Sequence, residues 1–209
     1  MRGLRALIAC FAVGFGGGVQ AEGVAGEFDY WVMALSWQPS WCANDGAGSD
    51  QCERPAGWTL HGLWPQYERG WPSYCPTAKR PPTRSETGAM ADIMGSGGLA
   101  WHQWRKHGVC SGLDGADYLD LSREMYGRVV RPELLRQLRQ EVQLPAHVIE
   151  EAFLADNPQL EPDGITITCK AGRIAEARIC FSRDLEPVLC AADVVRDCTA
   201  NDALFAPIE

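Results

Sequence analysis

Residues 58–65 read WTLHGLWP, an aromatic and β-branched run that carries a histidine and stops at a proline. Side chains of that kind fit a half-buried pleat and proline ends a ladder, so the run predicts a strand over 58–63 and a loop after it. Upstream, residues 28–37 have the same character and predict a second core strand, with the turn-rich NDGAG at 44–48 between the two. Downstream, residues 65–82 hold five of the thirteen prolines and read as a surface loop tied down at Cys75. Short helices are expected at 88–94 and 99–107, interrupted by GSGG at 95–98, then longer helical sequence over 117–143 broken near Pro132, and a further helix over 146–154. Residues 165–170 and 173–181 alternate as two strands joined at Ala171-Gly172. With no internal repeat or heptad array, this mixture is that of an α+β domain.

The chain has 209 residues, 46% hydrophobic and 22% charged, which is ordinary globular composition and sets one domain as the default. Residues 1–21 read as an export segment: Arg2 and Arg5 make a basic start, 6–19 is largely apolar, and Val19-Gln20-Ala21 offers a small-residue cleavage site. The expected mature domain is therefore 22–209. No later apolar run approaches the roughly 18 residues of a membrane helix, so no membrane association is expected once the leader is gone. Leu7-Ile8-Ala9-Cys10 resembles a lipoprotein cleavage box, which leaves lipid anchoring as the alternative. The net charge is −8, and two of the nineteen basic residues lie in the leader. That excludes a generally basic nucleic-acid binder, and any polyanion must be met by a local field.

Beyond Cys10, the cysteines are Cys42, Cys52, Cys75, Cys110, Cys169, Cys180, Cys190 and Cys198. An even number with no Cys-x-x-Cys pair points to disulfides rather than metal ligation, and hence to a periplasmic or secreted protein. Spacing leaves 105 pairings open. No Asn-x-Ser/Thr sequon occurs, so glycosylation gives no sign of a eukaryotic route.

All eight tryptophans and three of the four histidines fall between residues 31 and 104 or just beyond, at His107. Trp31, Trp37, Trp58 and Trp104 are expected in the core. Trp64 and Trp71 flank prolines in the loop, where a partly exposed ring can stack on a base. Residues 101–108 read WHQWRKHG. At about 100° per residue, His102, Lys106, Gln103 and His107 share one face of a helix, with Trp104 and Arg105 off it. Two imidazoles and an ammonium on one surface repel each other and lower the imidazole pKa values, and an anion relieves that repulsion. Neither 93–113 nor 55–67 contains an acidic residue, so an anionic substrate can approach both despite the overall charge. His61, taken alone, reads as a satisfied core histidine, and His147, near Glu150 and Glu151, as a surface residue. Zinc helices favour His at i and i+4 with acidic or Cys partners; His102 and His107 are five apart with a lysine between them, so no metal or other cofactor is expected. Two imidazoles with a cation suit RNA cleavage, because one takes the 2′-OH proton, the other protonates the leaving 5′ oxygen, and the internal nucleophile needs no metal-bound water.

HGLWP at 61–65 and HQWRKHG at 102–108 resemble, in order and approximate spacing, the two active-site segments of the ribonuclease T2 family of secreted, acid-type endoribonucleases. FDYWVMALSWQPSWC at 28–42, GWPSYC at 70–75 and the late cysteines extend the resemblance over most of the mature chain. It implies an α+β fold with a central antiparallel sheet, flanking helices and stabilising disulfides. It also implies His61 as general acid, His107 as general base, Lys106 stabilising the transition state, His102 positioning the phosphate, and Trp64 and Trp71 at the base site, with Trp71 where the family often has Tyr. The implied disulfides are Cys75 with Cys110, Cys42 with Cys52, and a nested C-terminal pair among Cys169, Cys180, Cys190 and Cys198. One departure is Gln103, where the family usually has Glu. The resulting expectation is a monomeric, metal-independent endoribonuclease acting on single-stranded RNA, and not on DNA, through a 2′,3′-cyclic phosphate. If Gln103 cripples catalysis, the alternative is an RNA-binding or signalling protein of the same fold; an unrelated disulfide-rich adhesion or inhibitor module would leave the three histidines apart in space.

Overall fold

Eight residues of near-continuous apolar character, YWVMALSW, form β1 (Tyr30–Trp37) at the middle of the sheet. The computed structural model describes residues 23–208; the expected leader lies outside them. After β1 come α1 (Gln38–Asn44), β2 (Trp58–Gln66), α2 (Arg84–Ala89), α3 (Ala91–Met94), α4 (Gly97–Lys106), α5 (Gly115–Arg128), α6 (Glu133–Arg136), β3 (Val142–Leu144), α7 (Ala146–Asp156), β4 (Ile165–Lys170), β5 (Arg173–Ser182) and β6 (Ala203–Phe205). The strand order is β2-β1-β5-β6-β3, with β4 paired to β5. Every pairing is antiparallel except the single parallel contact of Arg173 with Leu204 between β5 and β6. The chain is thus α+β with a central, essentially antiparallel sheet and flanking helices.

The period-two geometry of β1 turns Trp31, Met33, Leu35 and Trp37 into the main core beneath the helices, while Tyr30 and Val32 join a small cluster with Cys180 and Val194 on the opposite face. In the main core Trp37 stacks on Phe205 at 4.3 Å and Trp58 meets Phe153 edge-on at 5.3 Å. Each such buried aromatic contributes about 1.5–3 kcal/mol through the area it removes from water. Trp31, Trp58 and Trp104 are buried in the same cluster.

Several boundaries differ from the sequence reading, each for a local reason. β2 continues through Trp64 and Pro65 to Gln66, three residues past the expected end. As an edge strand it tolerates Pro65, whose missing N–H breaks no inner ladder. Residues 97 and 98 begin α4 instead of interrupting helix, because the Ser96 side chain caps the Leu99 N–H at 3.1 Å. Gly97 is there for packing: a Cβ would sit 3.1 Å from the backbone of Gly88 on α2. The helix expected over 117–143 ends at Arg128, and after one turn at Glu133–Arg136 the chain extends as β3. Pro145 disfavours helical geometry at Leu144, and pairing with β6 supplies backbone bonds in its place. The β4–β5 hairpin turns on Ala171 and Gly172, both with positive φ, as a tight two-residue connection requires.

Four disulfides staple the loops: Cys42–Cys52, Cys75–Cys110, Cys169–Cys198 and, inside that last span, Cys180–Cys190.

Candidate active site

His61 owes its place to a β-bulge. β2 pairs with β1 as Leu60 with Leu35 and then Gly62 with Ala34, so His61 is the extra, unopposed residue. The slip lets Leu60 and Leu63 both enter the main core while His61 and Trp64 face the open side of the sheet. The Tyr118 hydroxyl, fully buried on α5, donates to the Leu63 carbonyl at 2.8 Å and fixes the strand beyond the bulge.

α4 lies against this edge. Its inner side sinks Ala100 and Trp104 into the core, and the adjoining face carries His102, Gln103, Lys106 and, as C-cap, His107. A cleft of about 340 Å³ gathers those four with His61, Trp64 and Trp71, together with Gln66, Arg178, Asp193, Val194 and Arg196. All seven residues singled out in the sequence therefore converge in space. The reading of an unrelated module with scattered histidines is excluded.

The four residues on α4 are not equivalent. His102 is exposed and Lys106 half-buried, whereas Gln103 is 2% and His107 6% exposed. The Trp64 indole N–H donates to Gln103 Oε1 at 2.7 Å, and the Trp64 ring lies nearly parallel to His107 at 5.2 Å and edge-on to His61 at 5.2 Å. Trp64 is thus a spacer between two imidazoles, engaged by the protein's own groups and part of β2 instead of the loop. Gly62 makes this possible, since a Cβ there would fall on Gln103 Oε1 and Trp64 Nε1. Trp71, 51% exposed, is the ring left open to solvent at the cleft. The turn that carries it relies on positive φ at Gly70, whose N–H donates to Asp193 at 2.5 Å. The loop is secured to the end of α4 by the Tyr74 N–H donating to the Lys106 carbonyl at 2.8 Å, and to the turn that follows α4 by the Cys75–Cys110 bridge.

The imidazoles sit in contrasting surroundings. Burial, reinforced by Lys106, His61 and His102, pushes His107 down to about 3, and its Nδ1 is buried without a partner. His102 is lowered by burial and then by Lys106, His61 and Arg105. His61 instead has Nδ1 at 2.6 Å from Glu176 Oε1. The other oxygen of that carboxylate accepts from Arg178 Nε at 3.1 Å and Nη2 at 2.8 Å. Burial acts to raise Glu176, but the hydrogen bond and charge of His61, with those of Arg178, hold it down at about 2. Glu176 and Arg178 were missed by sequence reasoning: they lie 115 or more residues from His61 in an alternating strand that carries no motif. A glutamate and an arginine two apart, on one face of a predicted strand, were the only available signal. His147 is exposed on α7, away from the cleft. Among the described residues no group of three or more His, Cys, Asp or Glu is arranged to hold a metal ion.

The model of the Ribonuclease T2 family matches residues 28–190. A ribonuclease of Aeromonas hydrophila is 48% identical over 111 residues, which cover 53% of this chain and 51% of that protein. The chain spans about half the length of the first curated relatives it matches. Among solved structures, an RNase-related protein from Calystegia sepium superposes with a TM-score of 0.67 over 87% of this chain and 98% of its own at 21% identity. A variant of RNase MC1 in complex with 5′-UMP does so with 0.64 over 86% and 98%, also at 21% identity. Likenesses at that identity speak for the fold, and it is the family model, running from β1 through both histidine segments to Cys190, that carries the assignment: the chain belongs to the ribonuclease T2 family.

Proposed function

We propose that the protein is a metal-independent endoribonuclease that cleaves single-stranded RNA by transphosphorylation through a 2′,3′-cyclic phosphate. The observation that carries this reading is the convergence of His61, His102, Lys106 and His107 in one cleft with two imidazoles in opposite settings. His107, neutral above about pH 3, acts as the general base on the 2′-OH. His61, bonded at Nδ1 to Glu176, acts as the general acid on the departing 5′ oxygen. Lys106 offsets charge on the phosphorane, and exposed His102 positions the phosphate. Trp71 offers its face to a base, with Trp64 as the wall behind it. The RNA-binding alternative without turnover is not favoured, since Gln103 is engaged by Trp64 and the acid, base and cation are all in reach of one cleft.

The same proposal takes residues 1–21 as an export signal and 22–209 as one domain, working as a monomer in the periplasm or outside the cell. Four disulfides support an oxidising compartment. The test is cleavage of RNA and of the matching DNA in EDTA. RNA should yield 2′,3′-cyclic ends while DNA stays intact, and His107→Ala should cost at least roughly a hundredfold in rate. Activity lost in EDTA and restored by zinc would refute the reading.

A further inference from the structure

The His61–Glu176 contact spans two strand spacings, from β2 over β1 to β5. It passes above Ala34, opposed to Arg178, and Ser36, opposed to Glu176. Larger side chains at those two positions of β1 would block it. Both oxygens of Glu176 are used, one by His61 and the other by Arg178, so the carboxylate has a fixed orientation. Its side chain is 14% exposed, and a buried ion pair is usually no more stabilising than an apolar pair of the same volume. Packing therefore gives no reason for this triad. Charge does. Among the described residues no other carboxylate bonds an imidazole of the cleft, and position 103 on α4 holds an amide already occupied by Trp64.

We propose that Glu176, oriented by Arg178, is the positioning residue of His61: it accepts the Nδ1 proton, leaves Nε2 as the nitrogen that meets the leaving oxygen, and supplies from β5 the negative charge that α4 lacks. The charged and titratable groups around His61 are Glu176 and Arg178 from β5, His102, Lys106 and His107 from α4, Asp193 and Arg196 from the C-terminal segment, and, in the adjoining cavity that Glu176 lines, Asp45, Lys170 and Asp197. Of the carboxylates among them Glu176 is the one that bonds His61, so removing its charge leaves the general acid beside cations and opposed only by carboxylates that make no bond to it. Glu176 is not among the residues lining the cleft that holds His102, Lys106 and His107, and reaches that cleft through His61 and Arg178.

The inference rests on His61 being the acid of the proposed reaction, and two readouts separate the claims. In Glu176→Gln, kcat should fall about tenfold or more with KM little changed, and the alkaline limb of the rate profile should move about one pH unit or more toward acid. Independently of RNA, the proton NMR spectrum of the wild type should contain a far-downfield Nδ1–H signal from the short bond to the carboxylate, absent from His61→Ala and from Glu176→Gln. Should Glu176→Gln not fold, Glu176→Asp tests the contact instead of the charge: with the carboxylate withdrawn by one methylene, the downfield signal should be lost and kcat should fall with KM little changed. An unchanged alkaline limb and an unchanged downfield signal in the variant that folds would overturn the proposal while leaving the ribonuclease reading in place. A wild type with the downfield signal but no cleavage of any RNA would overturn both the ribonuclease reading and the positioning role of Glu176.

Discussion

An amide at position 103 has a structural partner as well as a place beside His107. Gln103 Oε1 accepts from Trp64, which in turn stacks on His107. Glutamate has the same length and keeps that acceptor, but adds a negative charge next to an imidazole that burial, Lys106, His61 and His102 now hold near 3. Gln103→Glu should therefore raise the pKa of His107, make it a stronger base, and move the acid limb of the rate profile upward in pH. A charge-assisted hydrogen bond exceeds a neutral one by about 1–2 kcal/mol, so the gain at the optimum should be on the order of tenfold. Gln103→Ala should act oppositely, since it leaves the Trp64 indole N–H unsatisfied and frees the ring that holds His107. Steady-state rates across pH for the two variants check the pair. A slower Gln103→Glu would mean that the site is tuned to the amide.

At the scale of elements, what was readable from the sequence followed from local periodicity. The face of α4 needed only helical spacing, and the β4–β5 hairpin needed only alternation around Ala171-Gly172. The bulge at His61 leaves no signature within one strand, because it is defined by the register of β1 against β2. β6 is three residues long and gains its definition from pairing with β3, which explains why neither was expected. Glu176 belongs to the site only through strand order, a non-local property. The loop that presents Trp71 was readable as a loop, and its attachment to α4 was implied only by the family resemblance. That attachment is testable. Cys75–Cys110 encloses 35 residues of separation, for which chain-entropy arguments give about 4 kcal/mol of stabilisation. Replacing both cysteines by serine should lower the unfolding free energy by up to that amount. It should also raise KM for RNA several-fold, because the loop of Trp71 loses its covalent tie to the turn after α4, while both limbs of the pH profile stay where they are. Denaturant titration and kinetics on one preparation check both parts, and an unaltered KM would show that the tie to Asp193 suffices to hold the loop.

The molecule as a whole carries −8, yet two of the stretches that build its cleft, 55–67 and 93–113, are free of acidic residues, and the cations gathered there cost stability in acid. Four groups with shifted pKa values set the expected pH dependence, His107, His102, Glu176 and Glu150. His107 falls from 6.5 to about 3 on folding, so the unfolded chain takes up a proton first and stability is lost as pH falls from 6.5 toward 3; His102 adds to it with the same sign. Glu176 falls from 4.5 to about 2, and its contribution, complete above 4.5, is lost as pH falls toward 2. Glu150 on α7 goes the other way. Burial first, then Asp197, Asp163 and Glu151, raise it from 4.5 to about 7, so its contribution is present below 4.5 and disappears as pH rises to 7. Between pH 7 and 4.5 the histidines and Glu150 oppose each other, and thermal stability should change little. Below 4.5 Glu150 no longer offsets the loss, the histidine and Glu176 contributions add, and Tm should drop steeply. In His107→Asn the largest opposing contribution is gone, so Tm should rise from pH 7 to 4.5 before falling. Melting curves of wild type and variant at pH 7, 4.5 and 3 test this, and parallel profiles would show that the neutral, buried state of His107 is not what costs stability in acid.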